Sequence, residues 1–381
     1  LKAPKPDNIK TKIKRTISKV SKVQAERVSK AQQESMVIEE DFFALVTSLE
    51  AEHSDGFHQI IGSQVTEEQL EAVHDRDHAS MLGRAESVKR DWENAVSWIT
   101  SIPAVNGVRE FWDTMYVAMN SRMHLNATVM NIQGSKLHRA MADLKNFKVS
   151  IKIKQRGKST LESMVAKIKA KGRDIKAEDL TNEELKLMFY IRAMGENAEG
   201  SKGFIEKWIK DNEYDWMFKT GFTVDKLPSY IFIPAFLEYM GQDYIQDAMK
   251  AVTKKMDGEK LTAAEMQKII IAVADMDMEA SSLRALMEMA KFHNATESKD
   301  DTVSLTTSLG LGSDGLNNGA ALAHIWNGAF DEQLLDRTGF YVTSSRYRSY
   351  FDARHDFSVG DYYTGFVGNV GAALDPDISV G

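Results

Sequence analysis

Apolar residues recur every three or four positions through most of the chain, a spacing that predicts amphipathic helices. The first runs over residues 8–35, with Ile9, Ile13, Ile17, Val20, Val23 and Val28 on one stripe. Further helices are expected over 36–53, 67–100 and, after the Pro103 and Gly107 punctuation, about 108–130. Two more are expected at about 159–171 and 181–195. Thr66-Glu67-Glu68 and Thr181-Asn182-Glu183-Glu184 are helix starts, each a threonine before an acidic first turn. Residues 228–250 begin Pro-Ser-Tyr-Ile-Phe-Ile-Pro and are expected to turn helical by Ala235. Helices follow at about 262–275 and 279–294, rich in Met and Leu, with the methionines read as adaptable core. The pattern changes to alternation in 147–155 (FKVSIKIKQ), which predicts a strand. Residues 302–312 (TVSLTTSLGLG) predict a buried strand and a Gly turn, followed by a short helix at Ala320–His324.

Six prolines in 381 residues, two of them in the first six positions, agree with long helices. No apolar run reaches the 18 residues of a membrane span, and the first residues lack the apolar core of a secretory signal. Cysteine is absent. That excludes disulfides, thiolate zinc sites and iron–sulfur clusters. The net charge of −7 argues against a small nucleic-acid-binding module. It leaves room for a large acidic body with a basic cleft. Positive charge does concentrate locally. Residues 1–31 hold ten Lys or Arg against Asp7 and Glu26, and 145–176 hold eleven against Glu162 and Asp174. Both stretches read either as solvated surface or as contacts to nucleic-acid phosphates.

The segment Ser313-Asp314-Gly315-Leu316-Asn317-Asn318-Gly319 sits between the predicted strand and helix. A carboxylate at a strand end faces a cleft, a neighbouring carbonyl adds a hard oxygen, and small residues after it leave room for a ligand. The bare string is also that of an ordinary turn. Other signals fail on spacing. Asp275-Met276-Asp277 lacks the Gly and Glu of a calcium loop. Gly310-x-Gly312 lacks the Lys-Ser/Thr of a phosphate loop.

Ser313–Ala320 resembles the Asp-Gly-x-x-Asn-Gly motif of the virion-packaged RNA polymerases of Schitoviridae-type short-tailed phages. These are distant relatives of the phage and mitochondrial single-subunit RNA polymerases. Other patches match in order. Asp77-His78-Ala79-Ser80 and Glu86-Ser87-Val88 come first, then Arg122-Met123-His124 and Lys136-Leu137-His138-Arg139. Ser282–Met289 resembles the helix before the motif. The resemblance covers roughly 36–375, with gaps.

The resemblance implies a mainly α chain with a small antiparallel β palm element, a partial right-hand architecture of the single-subunit RNA polymerase kind. Residues 1–35 would form a basic arm and 36–107 a thumb-like region. Residues 108–300 would form a helical palm core with a basic insertion at 145–176, and 301–381 the palm strand, first metal motif and start of the fingers. Asp314 and the Gly315 carbonyl would hold Mg2+. Arg122 would lie in the catalytic cleft and grip the template or hybrid, although Ser121 stands where the family has Gly. Tyr363, Asn318, Gly319, Arg346 and Arg348 would bind nucleotide or template. Arg354-His355-Asp356-Phe357-Ser358 resembles the motif carrying the second catalytic carboxylate. It follows Asp314 too closely, and we read it as coincidental.

The expected function is therefore DNA-directed RNA synthesis by two-metal nucleotidyl transfer. The partners would be a DNA template, nucleoside triphosphates, the RNA product and other virion or ejection proteins. The enzyme would reside in the capsid, enter the host bacterial cytoplasm with the genome and transcribe early genes. No second metal motif or nucleotide-selecting helix is found, so we expect an internal portion of a larger polymerase, inactive alone. The rival readings are a virion structural or ejection protein that keeps the fold, and one chain of a split polymerase.

Overall fold

The computed structural model describes residues 35–305 except 118–122, 128, 133–134, 146–148, 156, 199, 221, 223, 225–226, 277–278 and 298–301. The chain enters as strand β1 (Met36–Ile38), followed by helices α1 (Glu40–Glu52), α2 (Ser54–Ile60), α3 (Glu67–Glu71) and α4 (Asp75–Ser101). Strands β2 (Glu110–Phe111), β3 (Met115–Val117) and β4 (Met123–Leu125) precede helix α5 (Lys136–Ala140) and strand β5 (Ala142–Leu144). Strands β6 (Val149–Lys152), β7 (Lys154–Gln155) and β8 (Lys158–Ser159) lead into helix α6 (Thr160–Lys171). Then come α7 (Asn182–Asn197), α8 (Ser201–Asp211), α9 (Trp216–Lys219), α10 (Ser229–Met240), α11 (Asp243–Met256), α12 (Ala263–Asp275), α13 (Ala280–Glu297) and strand β9 (Thr302–Leu305).

The expectation of a mainly helical chain with a small antiparallel sheet holds. The threonine starts form as full capping boxes. The Thr66 hydroxyl accepts from the Gln69 N–H at 3.2 Å, and the Gln69 side chain accepts from the Thr66 N–H at 2.9 Å. Thr181 with Glu184 and Thr262 with Glu265 repeat the arrangement. Each box satisfies two backbone donors that a helix start otherwise leaves open.

Four expected helices differ from what forms. Residues 36–53 open with a strand, because Met36, Val37 and Ile38 are all buried and pair on both sides. A strand covered on both faces reads as a continuous apolar run, which periodicity does not separate from helix. Residues 67–100 break in two, and the His74 ring starts the second helix by accepting from the Arg76 N–H. The described residues of the segment expected as a helix over 108–130 hold no helix; they hold β2, β3 and β4 instead. Its aromatic and β-branched content (Val108, Phe111, Trp112, Thr114, Tyr116, Val117) suits strands better than helix. Residues 228–250 split at Gly241-Gln242 into α10 and α11; α10 starts at Ser229 and is helical by Ala235, as expected. Pro228 takes the N-cap, and Pro234 is accommodated inside the helix despite its missing N–H.

The three-stranded sheet has the order β2-β1-β5, antiparallel throughout, with Met36 opposite Phe111 and Leu144. Helix α13 occupies the centre. It is buried on almost every side, from Ala280 through Leu283, Ala285, Leu286, Met287, Met289 and Phe292. Such a helix belongs inside the core, and α5, α7, α11, α12 and β9 surround it. The expected methionine core is there, in Met266, Met276, Met287 and Met289. Helix α4, by contrast, buries only Ala85, Trp92, Ala95 and Ile99 along 27 residues. No described helix is long and apolar enough to cross a membrane.

Gly200, before α8, lies with its α-carbon against the backbone of Asp275 and Met276, so a β-carbon there would overlap the Asp275 carbonyl. Backbone yields less readily than a side-chain tip. Gly200→Ala should therefore destabilise the fold by about 1–3 kcal/mol, the usual cost of overpacking. Urea denaturation of the variant checks this, and an unchanged midpoint would show that α8 and α12 can separate freely.

Candidate functional site

The two segments that alternation predicted as strands pair with each other. β6 and β9 run antiparallel, with Val149 opposite Leu305 and Lys152 opposite Thr302. The strand expected over 302–312 is thus observed from Thr302 to Leu305, and Asp314 follows nine residues later in the sequence. Asp314, Gly315, Asn318, Gly319, Arg346, Arg348 and Tyr363 lie outside the described residues, as does the short helix at 320–324. The predicted helix of 8–35 lies outside them too, apart from Ser35. Arg122 lies in the stretch 118–122 that joins β3 to β4, also outside. Its flanking strands are paired, Val117 opposite Met123 and Met115 opposite Leu125. In the sequence, Arg122 is the residue before β4.

Among the described residues, the most concentrated group of buried charges is an ionic cluster around α13. Arg284 on α13 is fully buried. Its Nη2 donates to both carboxylate oxygens of Asp143 on β5, at 3.2 and 3.0 Å. Its Nη1 donates to the Ala140 carbonyl at 2.8 Å and its Nε to Glu288 Oε1 at 2.9 Å. The guanidinium also stands 5.8 Å from the centre of the Phe42 ring. One side chain thus ties α13 to α5, β5 and α1. Beside it, Lys291 bridges Glu39 at 3.0 Å and Asp41 at 2.5 Å.

Burial dominates the titration of this cluster. It pushes Glu288 up to about 8, against the opposing pull of Arg284. It also raises Asp143, again against Arg284. Burial alone would lower Arg284, but Asp143 and Glu288 outweigh it and hold the guanidinium charged. Lys291 is likewise raised, because Glu39 and Asp41 overcome its desolvation. Tyr190 on α7 shares the space, and burial followed by Glu288 drives its hydroxyl far above the usual range.

Two patches that resemble the polymerases, Lys136–Arg139 and Ser282–Met289, pack together here. Lys136 pairs with Glu279 at 2.5 Å, and Arg284 reaches the end of α5. The patches at 77–80 and 86–88 lie on α4. His138 on α5 is buried, and its Nδ1 accepts from the Asn131 N–H at 3.2 Å. Burial lowers its pKa, with Asp91 opposing.

Residues 23–142 match the family model described as a virion DNA-directed RNA polymerase domain. The match takes in the first four resemblance patches and ends at the start of β5. It thus spans β1 to α5, the half of the scaffold that receives Arg284. No curated protein and no solved structure matches the chain.

The basic stretch 145–176 is neutralised in part. Lys145 pairs with Glu110 at 2.8 Å, Lys167 with Glu184 at 2.7 Å, and Lys171 with Asp179. Lys158 and Lys169 are exposed and carry no ion pair among the described residues. No group of three or more His, Asp or Glu among the described residues is arranged to hold a metal ion.

Sequence reasoning missed the ionic cluster as a unit. The signal was present: Arg284 and Glu288 stand four apart in an otherwise apolar stretch, and buried charges require partners. Asp143 gave less warning, because it lies on a three-residue strand.

Proposed function

We propose that this chain is a section of a virion DNA-directed RNA polymerase, and that Asp314 carries half of its metal site. The match over residues 23–142 is the observation that supports the reading most directly. It agrees in family with the resemblance of Ser313–Ala320, which lies well outside it. The β6–β9 pair, which ends nine residues before Asp314 in the sequence, is compatible with a strand preceding the motif.

In this reading, Asp314 and the Gly315 carbonyl hold Mg2+, for which hard oxygen donors are the fitting set. When bound, the ion supplies charge neutralisation at the transferring phosphate and activation of the attacking hydroxyl. Arg122 grips a template phosphate with its forked guanidinium. Asn318 and Gly319 leave room for the nucleoside triphosphate. Tyr363 stacks on a base, and Arg346 and Arg348 reach the template backbone. The protein is packaged in the capsid, passes into the host cytoplasm with the genome and transcribes early genes.

A second carboxylate must come from elsewhere, in the same polypeptide or in a partner chain. Isolated 1–381, given single-stranded DNA, nucleoside triphosphates and Mg2+, should make no RNA. Joined to a segment bearing the second metal motif, it should make RNA. Synthesis by the isolated chain would overturn the half-site assignment. A folded but inactive joined assembly would overturn the polymerase reading in favour of a virion structural protein.

A further inference from the structure

The cluster around Arg284 has an odd number of ionisable partners. Among the described residues, three buried carboxyl groups, Glu39, Asp143 and Glu288, face two cations, Arg284 and Lys291. Two balanced pairs can be drawn from them. Arg284 gives Asp143 two hydrogen bonds, and Lys291 bridges Glu39, with the exposed Asp41 at the rim. Glu288 is the remainder. It is 1% exposed and receives one bond, from Arg284 Nε to its Oε1. Its Oε2 is buried with no hydrogen-bond partner among the described residues. The phenol of Tyr190 adds no positive charge.

An unpartnered carboxylate oxygen is among the costliest groups to bury, while a neutral acid costs far less. We propose that Glu288 is carried as the neutral acid, and that its proton is part of a latch holding α13 to β5 and to the β1–α1 junction. With the proton in place, the cluster is electrically balanced. Removing it leaves a third negative charge among two cations, beside Asp143 and Glu39. The attraction that holds Arg284 to Asp143 is then shared with an unbalanced neighbour. The latch therefore loosens as pH rises, and α13 is the helix that leads into β9.

The sign follows from linkage. Burial raises Glu288 in the folded chain from the ordinary 4.5 to about 8. Its contribution to stability is thus complete below about pH 4.5 and is lost as pH rises to about 8. Asp143 is also raised by burial, so its contribution has the same sign. Lys291, raised as an amine, keeps its contribution until strongly alkaline pH. Comparison with Glu288→Gln isolates the glutamate, because Gln copies the neutral acid and cannot ionise.

The experiment is urea denaturation of the 381-residue chain and of Glu288→Gln at several pH values across that window. The ratio of wild-type to variant unfolding constants should rise with pH, by up to about tenfold per unit for one proton. Parallel pH profiles would overturn the proposal. A second measurement covers a variant that fails to fold. With 13C-carboxyl-labelled glutamate, the wild-type chain near neutral pH should show one glutamate resonance at the neutral-acid position. Only ionised glutamates in that spectrum would overturn the proposal equally. Neither readout depends on RNA synthesis, so the latch and the polymerase reading can fail separately.

Discussion

Asp314→Ala, placed in an active polymerase that contains this chain, should abolish nucleotide addition while leaving the protein folded and able to bind template. A metal ligand contributes several kcal/mol of charge stabilisation in the transition state, so the rate should fall about a thousandfold or more. Template affinity should change little, because the proposed grip on the backbone belongs to Arg122 and the arginines further on. Primer extension with a labelled RNA and a filter-binding measurement on the same preparation separate the two effects. Extension within a few-fold of wild type would remove Asp314 from the metal site. A parallel loss of template binding would instead make it a structural residue of the turn.

Arg284→Ala should have the largest effect on stability, about 3–5 kcal/mol, because it leaves Asp143 buried without its partner. The Ala140 carbonyl and Glu288 lose their donors in the same step. Since whole domains have only about 5–15 kcal/mol, the variant should be close to unfolding at ordinary temperature. The triple change Arg284→Met, Asp143→Leu, Glu288→Leu should recover much of that loss, because it removes the charges together and fills the space with apolar atoms. Urea denaturation of both variants checks the pair of statements. An Arg284→Ala loss below about 1 kcal/mol would mean that water reaches the cluster and screens it.

The parts of the fold that the sequence made legible are those written in local chemistry. Thr66 and Thr181 cap helices because a hydroxyl and an acid or amide three residues on satisfy backbone donors, whatever lies around them. Alternation in 147–155 marked β6, but nothing local named β9 as its partner, since strand pairing is settled by tertiary contact. Helix α8 was illegible for a related reason. Its N-cap is Gly200, which makes no side-chain cap bond and stands where the Asp275 backbone leaves no room for a side chain. A packing demand erased the local start signal. The false helix at 108–130 arose in the opposite way. Apolar spacing there suggested a helix, while pairing with β1 and within β3–β4 determined strands. For the candidate site, the proposals for Asp314 and Arg122 rest on motif resemblance. The Arg284 cluster was not legible, because Asp143 and Arg284 meet only in the folded chain.

The β6–β9 pairing also sets a schedule for synthesis. Lys152 leaves the ribosome about 150 residues before Thr302, its partner across the ladder. At bacterial elongation rates this interval is on the order of ten seconds. Throughout it, β6 has bare amide and carbonyl edges able to accept the wrong strand. Lys152 and Lys154 beside that edge are the kind of charge that discourages such mispairing. The strand leading to Asp314 is therefore also the one that ends this exposure, so a nascent chain halted before Thr302 would display an open template for aggregation.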